Sequence, residues 1–125
     1  MVYTEQSKKS VDEVIKTFEE VISDYKFGIL HIHNVKETLI SKGVDYNHEC
    51  RILDICNPNY AKMFLEHDTN LSVVLPCKIT VYEKEGETNI SMNSLVQLVD
   101  DINPDMTDEA INIQDTLLSI IQRVK

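Results

Sequence analysis

Glycine, cysteine and positive charge are all scarce in this 125-residue chain, and each scarcity closes off a class of function. Three glycines in the whole chain leave no material for a glycine-rich phosphate-binding loop. The three cysteines, Cys50, Cys56 and Cys77, are an odd number with no framework spacing, so reduced thiols in the cytoplasm are expected rather than a disulfide scaffold. Lys and Arg number 12 against 21 Asp and Glu, for a net charge of -9, and no basic run exceeds Lys8-Lys9. A nucleic-acid backbone or an anionic membrane surface asks for the opposite balance, so neither partner is expected. No apolar run approaches the roughly 20 residues that span a bilayer. The opening MVYTEQSKKSVDE lacks the apolar segment of a secretory signal. The motifs H-E-x-x-H, G-x-S-x-G and C-x-x-C are missing as well.

What remains is the balance of one globular domain over residues 1–125, with 42% hydrophobic and 26% charged residues. Ser10 and Glu13 form a capping box, and Val11, Val14, Ile15, Phe18, Val21, Ile22 and Tyr25 follow at helical spacing, so the pattern predicts an amphipathic helix over 11–25. FGILHIH (27–33) reads as a strand. Asn34 caps the next helix, with Glu37 to complete a box and Gly43 to end it. RILDIC (51–56) is the following strand. Asn57 then caps a helix with Pro58 in its first turn, expected to turn Tyr60, Ala61, Phe64 and Leu65 inward. CKITVYE (77–83) and TNISM (88–92) form a hairpin about Glu85-Gly86-Glu87. SLVQLV (94–99) reads equally as strand or helix, with Pro104 ending it. Thr107 opens a last helix whose stripe is Ala110, Ile113, Leu117, Ile120 and Val124, widened by Ile111, Leu118 and Ile121. The order β-α-β-α-β-α-β-β-α predicts an α+β fold, with helices packed on one face of a mainly antiparallel sheet. The helices over 11–25 and 110–124 should bury against the same face.

Three blocks now occur in a recognisable order: NVKETL (Asn34 to Leu39), RILDICNP (Arg51 to Pro58) and LPCKITVYE (Leu75 to Glu83). Together they resemble the DUF302 family of small uncharacterised proteins, over about residues 10–125. The resemblance implies a fold similar to the TATA-binding-protein type, β-α-β(4)-α, in a compact domain that pairs into dimers. It transfers no catalytic residue, because the family has no established activity. The His31-Ile32-His33 strand end departs from the family, whose relatives are less rich in histidine there.

Four residues are candidates for ligand binding: Cys56, Cys77, His31 and His33. Cys56 ends a strand directly before a capped helix, whose partial positive charge favours a thiolate. The plainer reading is a small buried hydrophobe. Cys77 shares parity with Ile79 and Val81 and so faces the core, whereas Cys56 has parity opposite to Leu53 and Ile55. The two thiols therefore need not converge, and zinc asks for four ligands. His31 and His33 share a face, where Asp54 or Cys56 would have to add a third metal ligand. The alternative is an amphipathic pair on a solvated or dimer-facing surface. Cys50 and His48 read as surface residues, and the Asp100–Asp101 and Asp105–Asp108 pairs do not match a calcium loop.

The open sheet face should carry His31, His33, Thr80, Tyr82 and Ser91, a mixture suited to a dimer or ligand surface. We expect a small cytoplasmic binding or interaction protein, homodimeric, with a small molecule or a metal ion as ligand. One alternative is a thiol protein that binds or senses a metal or sulfur species through Cys56, with Cys77. Another is an enzyme with Cys56 as nucleophile and His31 or His33 as base.

Overall fold

Ser10 caps the first helix as its position predicts, with the Glu13 carboxylate turned back to the Ser10 hydroxyl rather than to the Ser10 backbone N–H. That hydroxyl accepts the Glu13 N–H at 3.2 Å and donates to Glu13 Oε1 at 3.1 Å. The computed structural model describes all of residues 1–125. Five strands, β1 (Val2–Ser7), β2 (Gly28–Asn34), β3 (Cys50–Cys56), β4 (Cys77–Lys84) and β5 (Glu87–Asn93), form one antiparallel sheet in the order β1-β5-β4-β3-β2. Five helices accompany them: α1 (Val11–Val21), α2 (Val35–Ser41), α3 (Pro58–His67), α4 (Leu95–Ile102) and α5 (Thr107–Val124). The α+β architecture expected from the pattern is what forms.

The register explains where the helices go. Leu53 stands opposite Ile79, Ile79 opposite Met92, and Val81 opposite Ile90. All five are buried and share one sheet face. Against them lie Val14, Ile15 and Phe18 of α1 and Ala110, Ile113, Leu117, Ile120 and Val124 of α5, within one apolar core. The two stripes bury on the same face, as their sequence spacing demands. The remaining face bears no helix of that core.

Local chemistry sets the ends of the elements. The first helix is shorter than its apolar stripe: it tightens into a 3-10 turn at Ile22–Tyr25, and Lys26 then takes the left-handed conformation at φ 63°. Asn34 accepts the Glu37 N–H at 3.1 Å, and Asn57 accepts those of Asn59 and Tyr60 at 2.9 and 3.2 Å. SLVQLV resolves as helix α4, because the Ser94 hydroxyl accepts the Gln97 N–H at 3.2 Å and so starts a turn that a strand could not use. Two side chains depart from expectation. Leu65 is 38% exposed and Ile111 40%, since each lies one residue beyond the angular width of the core contact.

Two polar features pin the layers. The buried Gln114 of α5 accepts from Ser94 Oγ and from Val96 N–H, both at 3.1 Å, and donates to Tyr3 OH at 3.2 Å, joining α5, α4 and β1. Arg51 of β3 donates to Asp12 in the first turn of α1 and to Glu49, each at 2.9 Å. Gln114→Leu keeps the volume but strands the Ser94 hydroxyl and the Val96 N–H. It should lower stability by about 1–3 kcal/mol in chemical denaturation, with an unchanged dependence on denaturant.

Candidate functional site

Both cysteines singled out at strand ends reach one small cavity. Cys56 and Cys77 line a void of about 10 Å³ together with Phe27, Tyr60, Phe64 and Ile113. Strand parity alone separates them, but Cys56 is the last residue of β3, where the chain turns into the Asn57 cap and alternation no longer governs direction. All three cysteines are free thiols. Cys56 does precede a helix N-terminus, yet its pKa is shifted away from the thiolate. Burial pushes it up from its ordinary value, and does the same to Cys50. Cys77 is pushed up to about 11, by burial first and then by the neighbouring Cys56. Desolvation penalises the charged sulfur in each case.

The histidine pair sits apart, on the open face of edge strand β2. The His31 and His33 rings meet edge to face, with centroids 4.3 Å apart. His33 Nε2 donates to Asp54 Oδ2 at 2.8 Å, and Lys78 Nζ donates to Asp54 Oδ1 at 2.7 Å. The Lys78 ammonium, and then His33, hold the Asp54 carboxyl below its usual range. Asp54 is thus engaged by an ammonium and an imidazole N–H rather than offered to a metal. No three His, Cys, Asp or Glu side chains gather closely enough to hold a metal ion. The structure therefore does not supply the third ligand that a site on His31 and His33 would need, and His33 is turned to Asp54 rather than to a thiol.

The rest of the open face is a hydroxyl lattice. Ser91 Oγ lies 2.9 Å from Thr4 Oγ1 and 3.0 Å from Tyr82 OH, while Thr80 Oγ1 donates to the Ser91 carbonyl at 3.4 Å. These hydroxyls satisfy one another, so this part of the face asks less of solvent than its residue types suggest.

The most developed apolar hollow is one that strand and helix patterns do not announce. A groove of about 360 Å³ runs along the end of the sheet where β4 and β1 begin and β5 ends. Val73, Val74, Leu95, Leu98 and Leu117 give it an apolar floor and walls; Lys78, Thr80, Ser91 and Asn93 stand on the sheet side. Nine of its 14 lining residues are hydrophobic, and none is an Asp or Glu. The larger hollow at the opposite end of the sheet, about 780 Å³, has one hydrophobic residue among its 13 and is rimmed by charge of both signs. The signal for the groove was the run of Val73, Val74 and Leu75 in a connecting segment, where Val73 stays 77% exposed.

The comparisons with known proteins agree with this architecture. No curated protein matches the chain. The crystal structure of the uncharacterized conserved protein DUF302 from Bacillus stearothermophilus superposes with a TM-score of 0.94 at 32% sequence identity, over 99% of this chain and 98% of that one. The family model described as a domain of unknown function, DUF302, matches residues 3–124. From Tyr3 to Val124, this chain belongs to the DUF302 family.

Proposed function

We propose that this chain is a small binding protein whose ligand is a small amphipathic acid, held in the groove at the β4–β5–β1 end of the sheet. The observation that carries the reading is the groove's lining. In a chain with 21 acidic residues, its 14 lining residues include no carboxylate and one cation, Lys78. Its volume falls within the roughly 300–1,000 Å³ of small-ligand sites, and its apolar walls with a few polar groups follow the same pattern. An apolar body would lie against Val74, Leu95, Leu98 and Leu117. An acidic head would meet Lys78, whose ammonium has three donors, of which Asp54 takes one at 2.7 Å. Octanoate is a suitable probe. Its methylenes at about 0.8 kcal/mol each give about 5 kcal/mol before the cost of association, which sets a Kd no tighter than the order of 100 μM and, after that cost, in the millimolar range.

The proposal includes a homodimer formed across the open sheet face, in a reducing cytoplasm. What supports the dimer is that the face is uncovered by helices and already ordered, with Thr4, Tyr82 and Ser91 fixed by mutual hydrogen bonds. The free state of all three thiols fits the compartment, and no helix is long and apolar enough to cross a membrane. A second reading, a thiol protein working through Cys56 with Cys77, is favoured by their shared cavity. Their raised affinity for protons weighs against it.

Titrating octanoate into isotope-labelled protein should move the amide signals of Val73, Val74, Leu75, Cys77, Lys78, Leu95 and Leu98. Lys78→Ala should weaken binding about fivefold, and Leu98→Asp, which places a carboxylate in the groove, by about tenfold or more. No shift at millimolar octanoate, or shifts scattered over the surface, would sink the reading. Light scattering at high micromolar concentration should give twice 14.4 kDa; the mass of one chain would remove the dimer and leave the groove untouched. Iodoacetamide should modify Cys56 and Cys77 of the folded protein more slowly than a free thiol up to pH 9, because a raised pKa leaves less thiolate at any given pH. Rapid labelling of Cys56 at neutral pH would restore the thiol reading.

A further inference from the structure

The groove has a back wall, and its makeup bears on which ligands fit. Leu75 and Cys77 are the two residues common to the groove and to the small void behind it. The void is bounded by Phe27, Ile55, Tyr60, Phe64 and Ile113, and nine of its ten lining residues are hydrophobic. At about 10 Å³ it holds roughly one probe sphere, and with so apolar a wall it offers a water almost no partners. It is space that a methyl group would fill better than water.

Cys77 occupies a core-face position in register with Ile55, on the same strand as the buried Ile79 and Val81. A branched aliphatic side chain suits that pleat as well as it does at the next two core positions. Such a side chain at position 77 would occupy the void. The smaller thiol instead leaves it in place, with the groove on its other side.

We infer that Leu75 and Cys77 form the partition that sets the depth of the groove, and that Cys77 is its specificity-determining residue, fixing how long an apolar chain the groove accepts. This rests on the groove being the binding site. A tail that reaches the partition gains contact with each added methylene until it meets Cys77, and the next carbon has nowhere to go. Removing the sulfur joins the void to the groove and admits a longer tail. Enlarging the side chain fills the void and shortens the groove.

The test is calorimetric titration of hexanoate, octanoate, decanoate and dodecanoate into the wild type and into Cys77→Ala, Cys77→Leu and Cys77→Ser. Wild-type affinity should rise about fourfold per methylene and then level off. Cys77→Ala should move that plateau to a chain one or two carbons longer, Cys77→Leu should move it shorter, and Cys77→Ser, close in size to cysteine, should leave it in place. Should Cys77→Ala fail to fold by thermal melting, Leu75→Ala opens the same partition and should shift the plateau the same way. Variants that bind the series with an unmoved plateau would overturn the partition while leaving the groove as the site. A wild type that binds none of the four acids would overturn the groove reading, and the partition with it.

Discussion

One register decides the rest of this molecule. Leu53, Ile79 and Met92 lie in a row across three strands, with Val81 and Ile90 beside them, so every buried apolar side chain of the central strands emerges on one face, and Ile52 alone of their large aliphatic residues turns to the other. A slip of one residue in any central strand would turn its apolar set to the other side. With one apolar face, the helices have one place to go, and α1 and α5 both take it. The opposite face is then left mainly to polar groups, which pair in two clusters, one about Ser91 and one about Asp54. The groove follows from the same constraint: α4 leaves the end of β5 and folds back toward the core side, and the angle between it and the strand ends is lined by whatever those ends carry.

Much of this fold is legible because its signals are local. A serine or asparagine three residues before a matching acceptor or donor, a proline in a first turn and an apolar stripe every three or four residues are all properties of a short segment. Caps at Ser10, Asn34 and Asn57 therefore sit where the pattern puts them. SLVQLV is different. Four apolar residues out of six satisfy either period, and the Ser94 cap that decides for helix is itself held by Gln114, twenty residues away, which accepts from both Ser94 and Val96. Leu65 and Ile111 mark another limit, since the width of a buried stripe is set by the neighbouring surface and not by the helix itself.

The candidate site is far less legible. Its lining comes from β1, the turn before β4, β4 itself, the end of β5, α4 and α5, and no segment contributes enough to be seen alone. The sequence argues for Cys56 from the helix that follows it and for Cys77 from strand parity, yet what matters about Cys77 is its size and its place between two hollows. The thiol chemistry that a helix N-terminus suggests for Cys56 is opposed by burial, a quantity that depends on Phe27, Tyr60 and Phe64 arriving from elsewhere in the chain. His31 and His33 were placed on the open face by alternation, but their partner Asp54, and its sharing with Lys78, depends on strand pairing across β2, β3 and β4.

The register shift between Ile29 and His31 has a meaning for the molecule among its neighbours. β2 is an edge strand, and a straight edge is a template on which a further strand from another copy can polymerise. An extra residue there displaces the hydrogen-bond ladder and increases the local twist, so an incoming strand cannot keep step along it. At the other edge, the end of α5 is tied beside β1: Ser7 and Lys9 donate to the carbonyls of Lys125 and Val124, and Gln122 and Lys125 donate to Glu5. Both edges of this all-antiparallel sheet thus carry features that oppose sideways growth into a fibre: an irregular ladder at one and a tethered helix end at the other.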